Sequence, residues 1–161
     1  MSEAGDFVDA ALQHEVSPYA FSAVEDDGLL HYGTSVGAIR GTVRDALKRY
    51  PGMGHDETVA LASELWGGAV FERRAAAIVL LQGVVGMLVV TDLTRVEGFL
   101  RSAGSALLID QLVSDVLEPM VAGLDERAYA RAMIVIGRWG RDPNETLRMI
   151  AASGRFGRGV T

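Results

Sequence analysis

The 161-residue chain contains no cysteine and only three histidines. The absence of cysteine excludes disulfides, thiol nucleophiles and zinc or iron–sulfur sites with Cys ligands. His14, His31 and His55 lie at spacings that no single helix or hairpin converts into a preset metal site. We therefore expect a protein without a bound metal or other cofactor.

Long apolar runs are lacking, and so is a basic amino-terminal region. The longest apolar stretch, over 75–90, is interrupted by one Gln and two Gly. At about 16 residues it is shorter than the roughly 20 that a membrane-spanning helix needs. Glu3, Asp6 and Asp9 occupy the place of the basic region of a signal peptide. The sequence thus predicts no membrane contact and, by default, a cytoplasmic location.

Basic residues are absent from the first 30 positions, which carry seven acids. Residues 31–120 hold eight basic against ten acidic residues, and residues 121–161 hold seven Arg against four acids. The net charge of −6 therefore comes from the acidic leader, whereas the carboxyl-terminal part is basic. An overall negative charge consequently does not exclude a nucleic-acid partner.

Apolar residues recur at steps of three and four, the period of amphipathic helices. Strand-like alternation is absent from the sequence, and weaker helices are expected around 7–14 and 18–24. The stronger periodic segments predict seven helices. The first three lie over 35–50, over Asp56–Trp66 and over 70–86, and the fourth begins at Asp92. The last three run from Ser105 to about 121, from Asp125 to about Arg141 and from Pro143 to about Ser153.

Helices of about 10 to 16 residues joined by tight turns favour antiparallel helix pairs. The pairs repeat every 35 to 37 residues or so, which is typical of an all-α, HEAT-like α-solenoid. A compact irregular bundle is the alternative. We predict an acidic helical segment over 1–29, a HEAT-like helical repeat domain over 30–153 and a flexible tail over 154–161.

The sixth of these helices carries an arginine stripe, formed by Arg127, Arg131, Arg138 and Arg141. At 100° per residue the four side chains fall within about 80° of the helix circumference if the helix continues through Gly140. Aligned guanidinium groups are suited to contacts with phosphates. The alternative is a solvated helix paired with the acids of the first 30 residues.

Residues 30–81 resemble the HEAT-like DNA alkylation-repair family, the AlkD-type 3-methyladenine and 7-methylguanine DNA glycosylases. The similarity continues more loosely to residues 105–112. The matching features, in chain order, are Tyr32-Gly33, Arg40, Glu64-Leu65-Trp66 and Glu72-Arg73-Arg74-Ala75-Ala76.

The resemblance implies a site on the helix that begins after Ser105. Asp110 matches the family's catalytic Asp, and Ala106 stands where the family has a Trp four residues earlier. Arg131 is the counterpart of a family Arg directed toward DNA. The resemblance thus implies binding of alkylated duplex DNA and hydrolysis of the N-glycosidic bond of cationic N3- or N7-alkylpurines.

Two functions follow from these observations. The first is a DNA-binding alkylpurine glycosylase with Asp110 as the catalytic carboxylate. The second is a non-catalytic HEAT-like interaction module that binds protein or nucleic acid. Asp110 also falls at the edge of an arc of polar residues on its helix, as expected of an ordinary solvated face.

Overall fold

The computed structural model describes residues 1–14, 23–24 and 27–158. This part of the chain is all-α apart from two short strands, which confirms the predicted fold class. The helices are α1 (Glu3–His14), α2 (Val36–Arg49), α3 (His55–Gly67), α4 (Phe71–Gly83), α5 (Leu93–Ser102), α6 (Ala106–Leu112), α7 (Glu118–Ala122), α8 (Glu126–Trp139) and α9 (Glu145–Ala152).

Three helical segments are not α-helical, and one small sheet is present. A π-helical segment, Val113–Leu117, joins α6 to α7, so that 106–122 is one continuous helical run. The 3₁₀-helices Val85–Met87 and Val90–Asp92 lie between α4 and α5. Strands β1 (Ala23–Val24) and β2 (Leu30–His31) pair antiparallel.

Helices that are neighbours in the sequence pack against each other. Helices α3 and α4 pack together, as do α1 with α2 and α8 with α9. Side chains cap three of the helices. Ser35 accepts a hydrogen bond from the Ala38 N–H (3.2 Å), and Asp125 accepts one from the Ala128 N–H (2.8 Å).

Two predicted helix starts are wrong. Helix α3 begins at His55 after the N-cap Gly54, not after Asp56, because the Gly54 N–H donates to the Glu57 carboxylate at 3.0 Å. Helix α9 begins after Asn144 rather than at Pro143, since the Asn144 side chain accepts a hydrogen bond from the third residue beyond it.

Helix α8 ends at Trp139, two residues earlier than predicted. The Gly140 N–H donates to the Gly137 carbonyl, and the Arg141 N–H donates to the Arg138 carbonyl at 3.0 Å. These bonds reach back three residues instead of four, which tightens the last turn and closes the helix. Arg141 therefore follows α8 in a turn and does not continue its regular face.

The chain divides into two compact units. Unit 1 comprises residues 1–84 and 104–108, and unit 2 comprises residues 85–103 and the chain from 109 onward. Each has its own apolar core, with Leu65 and Leu80 fully buried in unit 1 and Leu112 and Trp139 in unit 2. Trp66 in unit 1 and Trp139 in unit 2 are only 4% and 1% exposed.

A buried carboxylate at the start of α4 holds the segment that precedes α2. Glu72 is 2% exposed, and its two oxygens accept hydrogen bonds from the Tyr32 N–H and the Gly33 N–H, both at 2.9 Å. Gly33 adopts φ +84°, a left-handed conformation that favours glycine. The Tyr32-Gly33 pair thus supplies both the conformation and the donors that Glu72 requires.

A second carboxylate links α1 to the same region. Asp9 Oδ1 accepts hydrogen bonds from the Tyr32 hydroxyl (2.7 Å) and from Arg73 Nε (2.6 Å), and its Oδ2 accepts one from Gln13 (2.9 Å). The Arg73 hydrogen bond lowers the pKa of Asp9 against the opposing effect of burial. Asp9 therefore remains ionised and joins α1 to α4.

The two ends of the chain are described only in part. Helix α1 covers the helix predicted over 7–14 and begins earlier, at Glu3. Residues 18–22 of the helix predicted over 18–24 lie outside the described residues, and its last two residues form strand β1 instead of helix. In the tail, Phe156 is 5% exposed, and its carbonyl accepts a hydrogen bond from the Tyr129 hydroxyl. The three proposed segments, including the flexible tail, stay a prediction.

We predict that Glu72→Ala destabilises the protein by about 2–4 kcal/mol, because the buried Tyr32 N–H and the half-buried Gly33 N–H lose their acceptor at once. The measurement is urea unfolding followed by circular dichroism. Asp45→Ala, at an exposed position of α2, is the matched control and should change the free energy of unfolding by less than about 0.5 kcal/mol. Equal effects of the two substitutions would contradict the role given to Glu72.

Candidate nucleic-acid interface

Helix α8 presents the arginine stripe on its outer face. Arg127, Arg131 and Arg138 are exposed, whereas Ala132 and Trp139 on the opposite side are buried. The steps of four and seven residues between the three arginines place them within about 40° of one another. Arg141, the fourth member, is also exposed but lies in the turn after the helix.

Two members of the stripe line a shallow depression. Arg138 and Arg141 surround a space of about 450 Å³ together with Ile134 and Gly137. Ile134 is 58% exposed, and a Cβ added to Gly137 would meet nothing within 4 Å. The depression therefore combines two cations with an open backbone position, where an extended anion can approach closely.

Two acidic side chains beside the stripe in sequence, Asp142 and Asp125, are held by other groups. Arg101 donates to both carboxylate oxygens of Asp142, at 3.0 and 2.5 Å. Together with the hydrogen bond from the Asn144 N–H, this contact lowers the pKa of Asp142 to about 2. Asp125 accepts the capping hydrogen bond at the start of α8. Neither carboxylate thus neutralises a stripe arginine.

The guanidinium groups of the stripe have no hydrogen-bond or ion-pair partner among residues 1–14, 23–24 and 27–158. Exposed cations four residues apart, such as Arg127 and Arg131, repel one another. Water solvates such a set in the free protein, and an anion can replace that water. The surface is therefore chemically suited to a polyanion such as a nucleic-acid backbone.

Asp110 lies on α6 and is exposed. Its carboxylate forms no hydrogen bond or ion pair within the described part of the chain. Ala106, one turn earlier on the same helix, is exposed as well. Asp110 does not line the depression at Arg138 and Arg141. The structure thus leaves the carboxylate accessible and places two of the predicted site residues, Arg138 and Arg141, around one depression.

Two polar residues that follow Asp110, Ser114 and Glu118, are bound by the tail. Arg155 Nε donates to the carboxylate of Glu118, and its Nη2 donates to the Ser114 hydroxyl at 3.1 Å. The π-helical segment that carries Ser114 widens the turn that follows Asp110's helix. Asp110 therefore differs from Glu118 on the same helical run, because no cation among the described residues binds its carboxylate.

A second basic surface was not predicted from the sequence. Arg40, Arg44 and Lys48 line a groove between α2 and α4. Their spacing of four residues is visible in the sequence and would have indicated one helix face. The apolar part of the groove comes from α4 as well as α2, which requires knowledge of the packing.

Other types of site find no support in the described residues. No group of three or more His, Cys, Asp or Glu side chains there is placed to hold a metal ion. None of the helices in this part of the chain has the length and apolar character that crossing a bilayer requires.

Comparison with known proteins identifies one family. The family model described as DNA alkylation repair enzyme matches residues 10–157, which is most of the chain. No curated protein and no solved structure gives a significant match.

The ion pair beside the stripe predicts a pH dependence of stability. Because the pKa of Asp142 is lowered to about 2 in the folded protein, its contribution to stability is present above its ordinary pKa of 3.8 and is lost as pH falls toward 2. Asp142→Asn should therefore lower the melting temperature at pH 6 and have a diminishing effect toward pH 2. Thermal unfolding at a series of pH values measures this, and a pH-independent difference would contradict it.

Proposed function

The chain belongs to the DNA alkylation repair enzyme family, and on this premise we propose that it binds alkylated duplex DNA through the arginine stripe and excises cationic alkylpurines with Asp110. Membership in the family implies DNA as a partner. The observation that carries the rest is the exposed set of guanidinium groups at Arg127, Arg131, Arg138 and Arg141, which have no hydrogen-bond or ion-pair partner among the described residues.

The stripe supplies sequence-independent affinity. Each guanidinium that neutralises a phosphate releases a condensed counterion, and the planar group engages two phosphate oxygens at once. The exposed Gly137 leaves space for close approach of the backbone beside Arg138 and Arg141. Contacts of this kind position a duplex without selecting its sequence, as repair of scattered lesions requires.

The proposed reaction demands little of the protein. An N3- or N7-alkylated purine already carries a positive charge, so it leaves as a neutral base when the bond from its nitrogen to C1′ breaks. Asp110, placed near C1′, stabilises the developing oxocarbenium ion and orients a water molecule. The water oxygen then bonds to C1′, and its proton passes to the carboxylate or to solvent.

A non-catalytic DNA-binding or protein-binding module is the second candidate. Ala106, exposed one turn before Asp110, favours it because a methyl group supplies no aromatic surface against the deoxyribose. This candidate retains the arginine stripe and predicts binding without base release.

We predict that the purified protein releases 3-methyladenine or 7-methylguanine from alkylated duplex DNA, and that Asp110→Asn lowers the release rate at least about 100-fold. Asparagine keeps the size of the side chain but removes the charge that stabilises the oxocarbenium ion. Released bases are quantified by chromatography under single-turnover conditions.

Asp115→Asn is the matched control, since it removes the same charge from the same helical run. It should leave the release rate within about twofold of the original protein. Absence of release at high protein concentration, with duplex binding retained, would refute the glycosylase proposal and favour the non-catalytic module.

A further inference from the structure

A basic groove with an apolar floor runs between α2 and α4 in unit 1. Arg40, Arg44 and Lys48 form its charged side, and Val43, Leu47 and Val79 form much of its floor around a space of about 520 Å³. Leu47 is 38% exposed although it is a large apolar side chain. We call this surface, defined by these six residues, the α2 groove.

The charges of the α2 groove disfavour the isolated helix. Arg40, Arg44 and Lys48 are spaced at i, i+4 and i+8, where like charges repel one another. The three side chains have no hydrogen-bond or ion-pair partner among the described residues.

The other cations of unit 1 have structural roles. Arg49 lies over the rings of Phe7 and Tyr50, and Arg73 binds Asp9. Arg74 is buried and donates to carbonyl oxygens at the end of α3. The positive charges that remain available in unit 1 are therefore those of the α2 groove.

We propose that the α2 groove binds an acidic amphipathic helix of a partner protein. The three cations extend over eight residues of α2, or about 12 Å, which corresponds to two turns of a bound helix. Carboxylates spaced at i and i+4 on that helix would match the cations. Apolar residues on the adjacent face of the bound helix would cover Leu47 and Val79. Amphipathic helices commonly bind hydrophobic grooves in this way.

The charge distribution favours this occupant over a nucleic acid. Residues 1–84 contain twelve Asp+Glu against six Lys+Arg, so unit 1 is acidic outside the groove. Salt screening limits charge interactions to about 8 Å at physiological ionic strength. A short helix bound in the groove would therefore interact mainly with the three groove cations. A DNA duplex is longer than this screening distance and would extend over the acidic surface around the groove. Its phosphates would also leave the apolar floor of the groove uncovered.

This inference does not rest on the proposed function, because the α2 groove shares no residue with the arginine stripe or with Asp110. It can therefore hold whether or not the protein excises bases. Failure of the DNA experiments would likewise leave it standing.

The test is a binding titration of the full chain with a fluorescein-labelled helical peptide of about 14 residues, built from Leu on one face, Glu at i and i+4 beside it, and Ala elsewhere. We expect saturable binding that weakens as salt is raised. Arg44→Glu and Leu47→Asp should each weaken it about tenfold or more. Arg127→Glu is the matched control and should leave the affinity for the peptide unchanged.

A peptide with Gln in place of every Glu should bind at least tenfold more weakly, which establishes that charge recognition is involved. Circular dichroism checks the fold of each variant, and Arg44→Gln replaces Arg44→Glu if the latter is unfolded. The proposal is overturned if the Glu peptide does not bind at low salt, or if Arg127→Glu weakens it as much as Arg44→Glu. It is also overturned if Arg44→Glu weakens duplex DNA binding as strongly as peptide binding.

Discussion

The buried carboxylate of Glu72 is the interaction on which unit 1 depends. It accepts hydrogen bonds from the backbone N–H groups of Tyr32 and Gly33 and so fixes the chain just before α2. The hydroxyl of Tyr32 in turn meets Asp9, which holds α1 against Arg73. The acidic residues of the chain are therefore partly structural, and the local charge at each surface matters more than the net charge of −6.

The arginines, like the acidic residues, have different roles according to the groups that they contact. Arg101 and Arg155 bind carboxylates, and Arg158 lies over the Tyr129 ring at 3.9 Å. The arginine stripe and the α2 groove have no such partners among the described residues. Unpaired cations at regular helix spacing raise the free energy of the free protein slightly, and a bound anion relieves that cost. The proposed DNA contact of the arginine stripe and the proposed helix binding by the α2 groove both depend on this difference between partnered and unpartnered cations.

The helices and their pairing could be predicted from the sequence because apolar residues recur with the helix period and because Ser35 and Asp125 mark helix starts. The start of α3 and the end of α8 could not be predicted, since backbone bonding at Gly54 and Gly140 decided them. The position of Arg127, Arg131 and Arg138 on one exposed helix face could be predicted from their spacing in the sequence alone. The α2 groove did not, because its floor is formed by residues from two helices.

Contact between the arginine stripe and DNA phosphates is the central claim, and the salt dependence of duplex binding tests it most directly. Four contacts predict a slope of about −3.6 in a plot of log affinity against log salt. Arg131→Gln should reduce the slope to about −2.7, whereas Arg44→Gln should leave it unchanged. A slope near zero, or one that Arg131→Gln does not alter, would contradict the claim.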